Sequence, residues 1–220
     1  VNDLVFTLLS DGSSDQVLLP ILEWVLRNEL PETSIQSQWA DLRRLPVRPQ
    51  GLKERIKSSI DLFPCDLLFI HRDAEKIYRE DRLGEIEREV EEAKGEYGKA
   101  FPYVGVVPVR MQEAWLLFDV GAIRRAAGNP NGDCVLKLPK ISEIEGIPNP
   151  KAILHNLLKE ASGLSARRRR KFRVPEAARR LGEVLEDYSP LRGLDAFRCM
   201  EENINDIVKS MGNESTISNP

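Results

Sequence analysis

DLVFTLLSDGSSD, residues 3–15, joins an apolar run of strand length to a Gly/Ser turn that carries two aspartates. A run this short and this apolar, closed by turn residues, predicts a strand buried on both faces. From Ser14 the apolar residues Val17, Leu18, Ile21, Leu22, Val25 and Leu26 recur at helical spacing, so a helix is expected next, with Ser13, Ser14 or Asp15 able to cap it. Pro20 falls early enough to reset the first turn.

The same grammar repeats downstream. CDLLFIH (65–71) is a second buried strand, ending in the loop residues Arg72, Asp73, Ala74 and Glu75. YVGVVPVR (103–110) is a third, followed by MQEAWLLFDVGAIRRAAG (111–128), which the spacing predicts as one helix. Between them lie an amphipathic helix over 50–63 and a densely charged, largely solvated helix or helix pair over 77–97, and SIQSQWADLRRLPV (34–47) can hold an irregular strand. Alternating strands and helices imply an α/β fold, a mostly parallel sheet flanked by helices.

After Gly128 the strand signal fades, and Pro/Gly-punctuated helical segments take over. The expected organisation is an α/β domain over 1–136, a helical C-terminal region over 137–212, and a frayed tail at 213–220.

Composition narrows the class. With 220 residues, 41% hydrophobic and 30% charged, the chain has a globular make-up, and no apolar run approaches a membrane span. The first residues lack a basic n-region, so a cytoplasmic protein without membrane attachment is expected. Cys65, Cys134 and Cys199 are odd in number and far apart, which argues against a disulfide framework and a zinc ribbon. A net charge of −3 gives no global attraction to nucleic acid, so any such binding must use local patches.

In open parallel sheets ligands bind beyond the carboxyl ends of the strands. All three strong strands are followed by acid there: Asp11 and Asp15 after the first, Asp73 and Glu75 after the second, and Glu113, with Asp119 two helical turns on, after the third. Each acid also has a simpler role as turn residue, helix cap or dipole partner. Together they make a candidate cation site. Like charges about 6 Å apart at an effective dielectric of about 20 repel by roughly 3 kcal/mol per pair, which a cation offsets. Hard oxygen ligands favour Mg²⁺ or Mn²⁺, ions that bridge carboxylates to substrate phosphate oxygens. The chain has no GxxxxGK[ST] and no strand-linked GxGxxG, and DGSSD with VRMQE lacks the residue set of a phospho-receiver domain.

Asp11-Gly12-Ser13-Ser14-Asp15 resembles the Glu-Gly-x-x-Asp motif that ends the first strand of the TOPRIM fold, shared by topoisomerases, primases and OLD-type nucleases, with Asp in place of Glu. The family's later Asp-x-Asp motif matches either His71-Arg72-Asp73 or Asp73-Ala74-Glu75. PVRMQEAWLLFD, LPK, NPKAILHNLL and SPLRGLDAF look like a family of bacterial TOPRIM-like proteins of the DUF4276 type, often encoded beside ATPases. The resemblance implies a Rossmann-like TOPRIM fold and a metal-dependent nuclease acting on DNA or RNA. It further implies a bacterial antiphage defence complex with an ABC-type ATPase, in which the chain is the effector and can form homo-oligomers.

By the same resemblance Asp11, Asp15, Asp73 and Glu113 are the catalytic set. Asp11 works on the attacking water, the other three hold metal, and Glu75 or Asp119 supplements them. A TOPRIM-like module without catalysis, binding an ATPase or nucleic acid, is the alternative that Asp11 and His71 motivate. A dense basic run, Arg167, Arg168, Arg169, Arg170 and Lys171 with Arg173, is the candidate nucleic-acid contact.

Overall fold

The computed structural model describes residues 3–98 and 100–217, with side chains as far as Gly212. The chain packs as two compact units. One comprises the residues through Arg72, then Ile77–Val107, and the chain from Cys199 onward; the other comprises Asp73–Lys76 and Pro108–Arg198. The sequence drew one boundary near 136. The chain instead leaves the first unit at two loops that follow strands and returns to it each time.

The first unit is α/β, built on a four-stranded, all-parallel sheet in the order β2-β1-β3-β4. The strands are β1 (Asp3–Leu9), β2 (Ser34–Trp39), β3 (Leu67–His71) and β4 (Tyr103–Val106). Register is set by Leu8 opposite Trp39, Phe6 opposite Leu67 and Ile70 opposite Gly105. Every residue of β3 is buried, as a central strand covered on both faces requires. Phe6 and Phe69 meet edge to face with centroids 5.2 Å apart. β2 is the half-exposed edge, which explains its weak apolar signal.

Helices α1 (Leu18–Glu29), α2 (Gly51–Leu62) and α3 (Arg79–Tyr97) connect the strands. A 3-10 turn over Ser13–Val17 precedes α1, so Pro20 lies in the first turn of the α-helix, where its missing N–H has no intrahelical partner to lose. Gly98, at φ +67°, closes α3 in the left-handed conformation open to glycine.

The second unit is helical, and among its described residues it has no strand. Residues 111–128 do not form one helix. A 3-10 turn over Gln112–Leu116 comes first, and α4 (Val120–Ala126) starts afresh with Asp119 as its N-cap. Trp115 is wholly buried and stacks edge to face on Phe197, 5.4 Å between centroids. That packing outweighs helical continuity.

Next come α5 (Pro150–Ala161), α6 (Ala166–Arg169), α7 (Val174–Val184) and α8 (Asp195–Ile217), the last starting in this unit. α4 and α7 cap each other's ends: Arg180 donates to the Ala126 carbonyl at 3.2 Å and Arg125 to the Val184 carbonyl at 3.1 Å. Of the expected tail, 213–217 continue α8, and 218–220 lie outside the described residues. No described helix is long and apolar enough to cross a membrane.

Candidate functional site: carboxylates and guanidiniums after the strands

The order β2-β1-β3-β4 makes the β1/β3 boundary the point where successive crossovers diverge in opposite directions. Such a switch point opens a crevice past the strand ends. Asp11 follows β1 there, with its side chain 56% exposed. Its Oδ1 receives Nη1 of Arg55 in a short ion pair, and its Oδ2 lies 3.5 Å from Nε of Arg72. Arg55 also donates Nη2 to the Ser10 carbonyl at 2.6 Å. Asp11 is therefore a carboxylate clamped by two guanidiniums.

Asp15 is buried and turned back on its own loop. It accepts the Gly12 N–H at 2.9 Å and the Ser14 hydroxyl at 3.0 Å. This is the reach-back of an N3 acid to the residue before a helix, so the DGSSD turn is held by the second aspartate of its own motif. Gly12 is extended, at φ −137°, and the left-handed region is not what selects glycine here.

His71, the last residue of β3, is 3% exposed and sets Nδ1 3.0 Å from the Val106 carbonyl. A carbonyl only accepts, so Nδ1 carries the proton and the ring is tied to the neighbouring strand.

Beyond β2 lies a cleft of about 120 Å³ lined by Ser10, Asp11, Trp39, Asp41 and the arginines 43, 48 and 55. Asp41 holds Nε of Arg43 at 2.8 Å and Nε of Arg44 at 3.0 Å. The hydrogen bond from Arg43 keeps the Asp41 carboxyl below the ordinary carboxylate range and lifts the Arg43 guanidinium above its own.

The second unit carries the other acids. The loop after β3 pairs with the loop after β4: Ala74 donates its N–H to the Pro108 carbonyl at 3.3 Å and Glu75 to that of Arg110 at 2.9 Å, while Arg110 Nη1 returns to the Glu75 carbonyl at 3.0 Å. Glu75 and Arg110 both adopt positive φ, 53° and 67°, a conformation that costs a side-chain-bearing residue on the order of 1 kcal/mol. Asp73 Oδ1 accepts the Gln112 N–H at 2.9 Å, at the start of the turn that bears Glu113.

Glu113 is 5% exposed and pairs with Lys151 Nζ at 3.1 Å. His155, one turn along α5 from Lys151, is held below its usual pKa, mainly by burial and against the opposing pull of Glu113. Asp119 Oδ1 accepts the Ala122 N–H at 2.8 Å. It is on a different element from Glu113, and not two turns along one helix as the sequence suggested.

The acids thus divide as Asp11 and Asp15 in the first unit and Asp73, Glu75, Glu113 and Asp119 in the second. Among the described residues no group of three or more His, Cys, Asp or Glu side chains stands gathered as a cation site. Asp11 is held by arginine, Glu113 by lysine, and Asp15, Asp73 and Asp119 by backbone N–H groups. Sequence reasoning missed Arg43, Arg48, Arg55, Lys151 and His155. Only the last two left a signal, an i,i+4 pair on the predicted helix at 150–161.

The basic run occupies α6 and its flanks, where Arg167, Arg168, Arg169, Arg170, Lys171 and Arg173 are all exposed. Arg173 pairs with Glu176, and Arg169 donates to the Leu164 carbonyl at 3.2 Å. Arg167, Arg168, Arg170 and Lys171 make no ion pair with a described residue.

Compared with protein-family models, with curated proteins and with solved structures, the chain matches none.

Proposed function

We propose that the chain is a TOPRIM-like, Mg²⁺- or Mn²⁺-dependent nuclease acting on nucleic-acid phosphodiesters. In this proposal it is a cytoplasmic effector subunit that works with an ABC-type ATPase in bacterial antiphage defence. One observation carries the chemistry: at the β1/β3 switch point, where a parallel sheet binds its ligand, an exposed aspartate sits between two guanidiniums. Arg55 and Arg72 suit the non-bridging oxygens of a phosphodiester, and Asp11 suits a water or hydroxyl beside it.

Asp11 and Asp15 in the first unit, and Asp73, Glu113, Glu75 and Asp119 in the second, offer oxygen alone, the donor kind that a hard cation takes. Arg55 and Arg72 now hold Asp11 and Lys151 holds Glu113, partners that a divalent ion at either carboxylate would have to displace. A bound divalent ion supplies Lewis-acid neutralisation of phosphate charge. Exposed and without ion pairs, the cations of α6 suit the strand's flanking phosphates.

The same ion pairs favour a second reading, a module that binds nucleic acid or an ATPase without cleaving. An aspartate committed to two arginines needs no metal to be neutral. Incubation of the purified chain with plasmid, single-stranded DNA and RNA in Mn²⁺ or Mg²⁺ separates the two. The substitution to use is Asp73→Asn, because the amide oxygen still accepts the Gln112 N–H while the charge is lost. Cleavage that needs metal and disappears in Asp73→Asn supports the nuclease. Binding without cleavage under every metal, with and without the ATPase, supports the module.

A further inference from the structure

We infer that the cleft beyond β2, between Ser10 and Arg55, is a phosphate-binding subsite built from Arg48, Arg43 and the Trp39 ring. It extends the nuclease reading to substrate binding, but rests on its own geometry. The chain carries a net charge of −3, yet this corner is inverted. The cleft's own lining sets Arg43, Arg48 and Arg55 against Asp11 and Asp41, which leaves one positive charge over.

Two of the donors also keep N–H groups that no carboxylate among the described residues takes. Arg43 gives Nε to Asp41, so its terminal Nη groups remain for a ligand. Arg48 makes no ion pair with any described residue, and it sits between Pro46 and Pro49 in a loop whose backbone those prolines restrict.

The frame behind them is rigid. Ser10, 5% exposed, accepts Trp39 Nε1 on its hydroxyl at 2.9 Å and Arg55 Nη2 on its carbonyl at 2.6 Å. Trp39 in turn carries the Arg43 guanidinium 4.7 Å above its ring. One buried serine therefore fixes both the aromatic platform and the inner arginine. Convergent, planar N–H forks in a small, partly enclosed cleft recognise a tetrahedral oxyanion. The outer face of Arg43 adds a plane on which a nucleobase stacks.

The phosphate can belong to a strand's phosphodiester or be a terminal phosphate, and the probes tell these apart. Inorganic phosphate and a 12-nucleotide oligothymidylate without terminal phosphate are titrated separately into the full chain. The buffer holds 50 mM salt and EDTA, and binding is read by calorimetry and by tryptophan fluorescence. In EDTA no metal-dependent cleavage intervenes, so failure of the nuclease reading leaves this result untouched.

Binding of either probe is expected, weakened about tenfold or more by Arg48→Ala and again by Arg43→Ala. For the oligonucleotide, affinity is expected to fall roughly threefold per neutralised phosphate between 50 and 200 mM salt. Arg48 is exposed, so the variant's unchanged circular dichroism serves as the folding control. Tight phosphate with weak oligonucleotide assigns the cleft to a terminal phosphate, and the reverse assigns it to a phosphodiester. Binding of neither probe, or binding that both substitutions leave unchanged, overturns the subsite.

Discussion

At the scale of single residues, Asp119 and Glu75 show how a carboxylate can be fixed by the fold before any ligand is considered. Asp119 caps α4, so Asp119→Ala is expected to lower stability by about 1 kcal/mol, while Asp119→Asn, an equally good cap, leaves it nearly unchanged. Denaturant unfolding of the two variants checks this directly. Glu75 is exposed and left-handed, with its N–H and carbonyl, not its side chain, making the bonds to Arg110. Glu75→Gly is therefore expected to raise the unfolding free energy by about 1 kcal/mol, measured in the same way. No stability gain there would mean that the glutamate side chain makes a compensating contact. The acids themselves were legible in the sequence because each follows an apolar run. Their partners were not, since the guanidinium that clamps Asp11 lies 44 positions away.

At the scale of elements, α2 and α3 are fastened by Glu96, which takes Lys53 and Lys57 at 2.7 Å each. Those two ammonium groups hold the Glu96 carboxyl down to about 2, from a usual 4.5. A folded-state pKa below the unfolded one means that the contribution is complete above about pH 4.5 and fades as pH falls toward 2. Glu96→Gln is thus expected to be less stable than the parent at pH 7, with the gap narrowing between pH 4.5 and 2. Urea midpoints across that range test it, and a gap independent of pH would count against the bridge. Strand β3 was readable because Leu67, Leu68, Phe69 and Ile70 form an apolar run and Pro64 precedes it. β4 ends at Val106, short of the run's end at 110, because Pro108 has no N–H to give a ladder. The single helix expected at 111–128 broke because burial of Trp115 and capping by Asp119 override local periodicity. Composition cannot show which of those demands wins.

At the scale of the molecule, the parallel α/β sheet with flanking helices followed from the alternation of strand and helix, whereas the division into two units did not. The second unit collects Asp73–Lys76 with Pro108–Arg198, and such a discontinuous set leaves no linker or shift in composition to read. Charge tells a similar story: a net of −3 conceals exposed cations on α6 and a guanidinium-rich cleft beyond β2. A chain that looks indifferent to polyanions as a whole can still bind them locally. On the proposed function, carboxylates following the strands serve metal-dependent phosphodiester cleavage. The most direct measurement is cleavage of supercoiled plasmid by the purified chain, alone and with the proposed ATPase partner, in Mn²⁺ and in EDTA, for the parent, Asp11→Asn and Asp73→Asn. Nicking is expected in Mn²⁺, abolished by EDTA and lowered by each substitution by at least about 100-fold, the size expected when a charged group at a reacting centre is lost. Nicking that both substitutions leave intact, or none with any metal or partner, would contradict it.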